Sequence, residues 1–262
     1  MDFTVAGRKV FASTGGCPFV ADRPVVMFLH GAGMDHTAWM LQARYFAHHG
    51  RSVLNVDLPG HGRSAGPPLR TIGDLADWLL KLLDAAGAPK AALVGHSMGS
   101  LVALEAAARA PAKIWALALL GTAVRMTVHP DLLKAAEAND HAAIDLIASW
   151  AYGRLAHLGG SRSPGGWMLG AGIRLLERAP PGALAACFNA CQAYAGALDA
   201  AGKVVCPTLL LLGELDRMTP PAGARDLGVR IAGARTVILP RTGHMMMVEQ
   251  PDQTTDALAE LV

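Results

Sequence analysis

The segment Gly95-His96-Ser97-Met98-Gly99 lies between an apolar run, Ala91-Ala92-Leu93-Val94, and a helix-forming stretch, residues 101–108. A strand must run into a tight turn, and the turn into a helix, with a serine at the apex. The two glycines stand where strand and helix backbones approach too closely for side chains. The turn predicts a strained backbone at Ser97, with the hydroxyl raised above the sheet edge. The first helical amides behind it are free to face a developing negative charge. Five residues recur by chance, so the weight comes from the strand before and the helix after.

The rest of the chain alternates in the same way. Continuous apolar or β-branched runs at residues 25–29, 52–57, 91–94, 114–120, 208–213 and 236–239 read as buried strands, with a weaker strand at 8–12. Helical spacing covers residues 36–49, 71–86, 220–231 and 253–262. Between about 122 and 201 no strand pattern occurs. Helical stretches at 131–138, 141–152 and 183–200 there surround a glycine-rich segment, 159–172. The expectation is an α/β fold: a mostly parallel central sheet flanked on both faces by helices, interrupted by an inserted helical cap. The core is expected at 1–121 and 203–262, and the cap at 122–202.

Composition removes other classes. The net charge is +2 with 17% charged residues, and no basic cluster tracks a phosphate backbone, so no nucleic-acid partner is expected. The apolar runs are too short to cross a bilayer, and the first residues carry no charged-then-apolar leader. The four cysteines, Cys17, Cys187, Cys191 and Cys206, show no metal or redox spacing. Cys187 and Cys191, one helical turn apart, read as packing residues, and a cytoplasmic location is the default.

A serine hydroxyl needs a base, a group that orients the base, and donors for the oxyanion. In an open α/β sheet these belong on loops at the carboxyl ends of strands. Of the ten histidines, His244 in Pro240-Arg241-Thr242-Gly243-His244 alone follows a late strand end, so it is the candidate base. The strand at 208–212 leads into Gly213-Glu214-Leu215-Asp216. Both carboxylates are candidates to orient the base, and Asp216, farther along the loop, is favoured. Asp57 reads as a structural carboxylate holding the turn 58–64. One oxyanion donor is the amide of Met98. The other belongs to His30-Gly31-Ala32-Gly33, with Ala32 favoured and Gly33 the alternative. His30 is expected to support that loop. The glycine spacing fits neither nucleotide-binding pattern, since position 36 is histidine.

Together these segments resemble the α/β-hydrolase superfamily over nearly the whole chain. The resemblance rests on His30-Gly31-Ala32-Gly33 with Trp39 downstream, on Asp57-Leu58-Pro59-Gly60-His61-Gly62-Arg63-Ser64, on Gly95 to Gly99, on Gly213 to Asp216 and on Gly243-His244. It implies an α/β-hydrolase fold and a capped serine hydrolase of the esterase, lactonase and C–C hydrolase kind. Ser97 speaks against the dehalogenase and epoxide hydrolase branches, whose nucleophile is an aspartate. Met34-Asp35-His36 departs from the glycine- and serine-rich stretch of meta-cleavage hydrolases.

The reaction expected is cleavage of a small to medium, mainly uncharged carboxylic ester through an acyl-enzyme, by Ser97, His244 and Asp216 with the Ala32 and Met98 amides. Lactone opening, C–C cleavage and thioester hydrolysis use the same parts, and a ligand-binding protein retaining such a site is the alternative of another class. No cofactor or metal is required, and the partner is a small-molecule ester. Nothing in the sequence sets the oligomeric state. The pocket is expected to draw on Gly31, Gly33, His96, Trp150, Trp167 and Met245, although His96 also reads as packing behind the elbow. Tyr152 and Met168 are further large cap residues. Arg154, Arg162, Arg174 and Arg178 could border an entrance. His141 and Asp145 read as a surface pair.

Overall fold

Strand residues alternate between two apolar cores, and this alternation organises the molecule. The computed structural model describes residues 1–161 and 166–262. In the strand Val25–Leu29 (β3), Val25, Met27 and Leu29 enter one core while Val26 and Phe28 enter the other. Side chains point to opposite faces at period two, so a strand that is apolar throughout needs cover on both sides. Chain order begins with Asp2–Val5 (β1) and Arg8–Ser13 (β2), then β3, the helix Met40–His48 (α1), Ser52–Val56 (β4) and Ile72–Ala85 (α2). Ala91–His96 (β5), Met98–Arg109 (α3) and Ile114–Leu120 (β6) follow.

The inserted segment holds Pro130–Glu137 (α4), Ala142–Trp150 (α5), Arg154–His157 (α6), Met168–Glu177 (α7), Ala183–Ala193 (α8) and Ala197–Ala201 (α9). Thr208–Gly213 (β7), Arg225–Arg230 (α10), Arg235–Leu239 (β8), Met246–Glu249 (α11) and Pro251–Ala259 (α12) complete the chain.

Among the described residues the sheet has eight strands in the order β1-β2-β4-β3-β5-β6-β7-β8. Pairs from β4 to β8 are parallel, while β1 with β2 and β2 with β4 are antiparallel. The register sets Leu29 beside Gly95, His96 beside Leu120 and Leu120 beside Leu211. The loops after β3, β5, β6 and β7 therefore emerge along one edge, where ligands of open α/β sheets bind. Residues of α2, α3, α9 and α10 cover one face, and those of α1 and α12 cover the other. Helix α2 turns Leu75, Leu79, Leu82 and Leu83 inward at helical spacing. Thr71 caps its first turn by accepting from the Asp74 amide.

Several elements differ from the sequence expectation. The strand β1 is a short edge strand joined to β2 through Ala6-Gly7, both at positive φ, a two-residue hairpin turn without the usual Asn-Gly signature. Residues 183–200 form two helices rather than one. The chain turns at Tyr194, whose hydroxyl donates to Glu105 of α3 at 2.6 Å. That turn lets α9 pack on α3, where Ala197, Ala200 and Ala201 join the apolar layer over the sheet. Helix α7 begins inside the glycine-rich segment, with the Trp167 ring lying against Gly170 and the Tyr152 hydroxyl against Gly172. Among the described residues, no helix is long and apolar enough to cross a membrane.

Leu79 is fully buried between α2 and the sheet. Leu79→Ala should lower unfolding free energy by about 2–5 kcal/mol, read by denaturant titration.

Candidate active site

The elbow after β5 is built by close approach. A Cβ on Gly99 would lie 2.5 Å from the Leu29 carbonyl oxygen and 2.7 Å from that of His30. A Cβ on Gly95 would collide with the Gly99 carbonyl. Ser97 adopts φ 53° and ψ −121°, a conformation that a non-glycine residue holds only when its surroundings impose it. Its amide donates to the Leu120 carbonyl at 2.9 Å. Within the elbow Ser97 alone is not fully buried, and its side chain lines a cavity.

The Asp216–His244 pair lies at the same strand ends. His244 Nδ1 is 2.7 Å from Asp216 Oδ2, with both side chains almost wholly buried. The other carboxylate oxygen of Asp216 accepts the Met218 and Thr219 amides, each at 2.8 Å. Thr219 Oγ1 donates to Oδ2 at 2.9 Å and lies 3.2 Å from His244 Nδ1. Asp216 is acceptor-only when ionised, so the network assigns the proton of neutral His244 to Nδ1 and leaves Nε2 as the acceptor. Burial pushes the Asp216 carboxyl up, but the His244 charge and these hydrogen bonds outweigh it and hold the carboxyl below the usual aspartate range. Glu214 is engaged elsewhere: it accepts the Arg241 amide at 2.7 Å.

Two amides at this strand edge have no protein acceptor among the described residues. The Met98 amide opens α3, where no carbonyl one turn back is available, and the Ala32 amide belongs to a residue lining the cavity. His30 ties this loop down. Its Nε2 accepts the Leu58 amide at 3.1 Å, so Nδ1 carries the proton and donates to the Gly31 carbonyl at 2.8 Å. Burial and the neighbouring His61 push the His30 imidazole down to about 4, which keeps it neutral. Asp57 holds the adjoining turn by accepting from the His36 amide, His36 Nδ1 and the Arg63 amide. The potential ligand atoms of Asp35, His36 and Asp57 lie within 4.8 Å of one another. Each is already engaged, Asp35 with Thr37 and Arg178 and Asp57 with His36 and Arg63, so the cluster reads as a loop brace.

The cavity measures about 540 Å³. Ala32 and Ser97 form part of its floor, and Met218, Thr219 and Arg217 come from the loop after β7. Residues 126–130, with Leu132, Trp150, Phe188 and Cys191, close it from the inserted segment. Of the residues expected to line the pocket, Trp150 does so. Gly31 does not, because it is buried against the His96 ring, and Gly33 is packed by Leu184 and Leu176. His96 lies behind the site rather than in it. It is fully buried, its ring 4.6 Å from that of His244, and its Nε2 donates to the His244 carbonyl at 2.9 Å. Burial, then His244, push His96 down to about 3. Met245 is buried in the core beneath α5 and α7, and Trp167 is 70% exposed, resting on its own helix.

Among the arginines expected at an entrance, Arg174 pairs with Glu177 and Arg178 with Asp35. Arg154 lines a neighbouring groove, and Arg162 falls outside the described residues. His141 meets Asp145 and Glu177 at the surface.

Glu249 was not anticipated. Its buried carboxylate accepts the Gly153 amide at 2.7 Å and the Gly243 amide at 3.0 Å, joining the end of α5 to the residue before His244. The His244 amide itself donates to the Ala151 carbonyl at 2.7 Å. The inserted segment and the His244 loop are therefore stitched together through their backbones. The sequence signal was a lone glutamate five residues after His244, which has no local meaning without Gly153.

A model of the alpha/beta hydrolase family matches residues 26–257. The chain belongs to this family. Pimeloyl-[acyl-carrier protein] methyl ester esterase of Chromobacterium violaceum is 31% identical, over 90% of this chain and 93% of that protein. The solved structure of the enol-lactonase from Burkholderia xenovorans LB400 superposes with a TM-score of 0.87 at 25% identity, covering 98% of each chain. A more partial likeness joins this alpha/beta hydrolase to the dihydrolipoyllysine-residue acetyltransferase component of the acetoin cleaving system of Pseudomonas putida. That match is 38% identical over 42% of this chain, and it spans 28% of the relative's length.

Glu249→Ala should destabilise the fold by about 1–3 kcal/mol for each buried N–H left without an acceptor, read as a lower Tm. Asp216 titrates below its unfolded value, so its contribution to stability is complete above the ordinary aspartate pKa of about 3.9 and is lost as pH falls through the lowered native value. The stability gap between the wild type and Asp216→Asn should therefore be widest near neutrality and shrink in acid, as measured by Tm against pH.

Proposed function

We propose that the protein is a serine hydrolase that cleaves a small to medium carboxylic ester through an acyl-enzyme. The observation that carries this reading is the buried Asp216–His244 pair at 2.7 Å, sharing one sheet edge with a serine held at φ 53° on the floor of a cavity. His244 Nε2 takes the Ser97 proton as Oγ attacks the carbonyl carbon. The tetrahedral oxyanion rests on the Met98 and Ala32 amides. His244 then gives its proton to the leaving alcohol, the C–O bond breaks, and the acyl group remains on Ser97. Water, deprotonated by the same imidazole, attacks the acyl carbon and releases the acid, restoring Ser97. Asp216 holds the Nδ1–H tautomer and stabilises the imidazolium.

Leu132, Trp150, Phe188 and Met126 line the cavity, which supports a mainly uncharged acyl chain. These parts need no metal or organic cofactor. The four free cysteines agree with a cytoplasmic location. Lactone opening is the second reading, favoured by the likeness to an enol-lactonase over almost the full length of both chains.

Ser97→Ala should lower kcat/KM for 4-nitrophenyl esters by about 10,000-fold or more, without loss of folding. Full activity in that variant would end the proposal. The base must be neutral to accept a proton, so kcat/KM should fall as the solution is acidified. A panel of graded 4-nitrophenyl esters, lactones and acyl thioesters separates the bond classes.

A further inference from the structure

A second groove of about 520 Å³ opens beside the cavity over Ser97. Arg217 lines both spaces, and Arg154, His157, Leu158 and Leu215 flank it on the groove side, where Glu214 and Asp216 also line the wall. Among the described residues, neither Arg217 nor Arg154 has an ion-pair or hydrogen-bond partner. The carboxylates closest to Arg217 in sequence are committed elsewhere. Asp216 is buried on His244, Thr219 and two amides, and Glu214 accepts the Arg241 amide. No aspartate or glutamate lines the main cavity among the described residues. The cavity over Ser97 thus holds no acidic side chain among the described residues, while its junction with the groove carries guanidinium groups without a partner.

We propose that the substrate carries a carboxylate, held at this junction by Arg217 with Arg154 behind it. The proposal rests on Ser97 chemistry for the bond cleaved, and adds the charge on the part of the substrate that reaches away from Ser97. A guanidinium offers a planar pair of donors that matches a carboxylate. The exposed leucines Leu158 and Leu215 beside the arginines favour a singly charged group on an apolar stem over a strongly hydrated phosphate dianion. The apolar side chains that the inserted segment turns into the cavity favour an uncharged body on the Ser97 side. The cation at the junction comes from the core loop, one residue after Asp216.

The test compares matched substrates. On the acyl side these are 4-nitrophenyl hydrogen adipate and 4-nitrophenyl hexanoate. On the alcohol side they are butyryl glycolate and butyryl glycolamide. In at least one pair the anionic ester should have the higher kcat/KM, by about tenfold, and Arg217→Gln should erase most of that ratio. Added salt should lower the same ratio. Each variant is normalised to its own neutral ester, so a general loss of activity does not alter the result. Ratios at or below one in both pairs, or a ratio unchanged in Arg217→Gln, would overturn the proposal. Calorimetric binding of monomethyl adipate to Ser97→Ala, with and without Arg217→Gln, separates this from the hydrolase reading. Binding weakened by Arg217→Gln supports the carboxylate site even if no ester is hydrolysed. Ester hydrolysis with no such weakening and no anionic preference leaves the hydrolase reading and removes the site.

Discussion

The crossing of β5 into α3 against the end of β3 is the constraint from which the site follows. Backbone carbonyls of Leu29 and His30 stand where a side chain on Gly99 would be. Helix α3 must therefore start directly over the sheet edge, and the residue before it is forced to positive φ. Strain of about 1–3 kcal/mol at Ser97 persists because packing on both sides over-determines it. The same contact brings the His30 loop beside the first amides of α3, so the candidate nucleophile and both candidate oxyanion donors share one piece of geometry.

The second half of the site is assembled from farther away. Asp216 comes from the loop after β7 and His244 from the loop after β8, and they meet because those parallel strands end together. Two devices fix the imidazole. The Asp216 carboxylate grips Nδ1 from one side. On the other, His96 and Ala151 hold the His244 backbone through its carbonyl and its amide. Through Glu249 that backbone is also joined to the end of α5. The inserted segment is thus tied to His244 as well as to the loop of Asp35, where Arg178 binds at 2.6 Å. A change in the cap that moved α5 would move His244 with it.

What could be read from the sequence had local causes. The elbow glycines, the Asp57 turn and the continuous apolar strands carry their reasons within a few residues. Ser97, Asp216 and His244 were candidates from their places after strand ends, and the structure pairs Asp216 with His244. The pocket lining had no such signal. Trp167 and Trp150 are equivalent as sequence, yet one lies outside on its own helix and the other faces the cavity, because the packing of α5 and α7 decides which surface turns inward. Met245 follows His244 but drops into the core, since the chain bends into α11 there. Gly31, Gly33 and His96 serve the site from behind. Arg217 and Glu249 gain meaning only beside residues distant in sequence, the groove with Arg154 for one and Gly153 for the other.

The central claim is that Ser97 becomes acylated during turnover. The direct measurement is rapid acid quenching of the enzyme with a 4-nitrophenyl ester, followed by mass spectrometry of the peptide containing Ser97. The account predicts an acyl mass on that peptide, appearing with a burst of nitrophenolate and absent in Ser97→Ala. Steady hydrolysis with no acyl group on Ser97 at any quench time, or an acyl group on another residue, would contradict it.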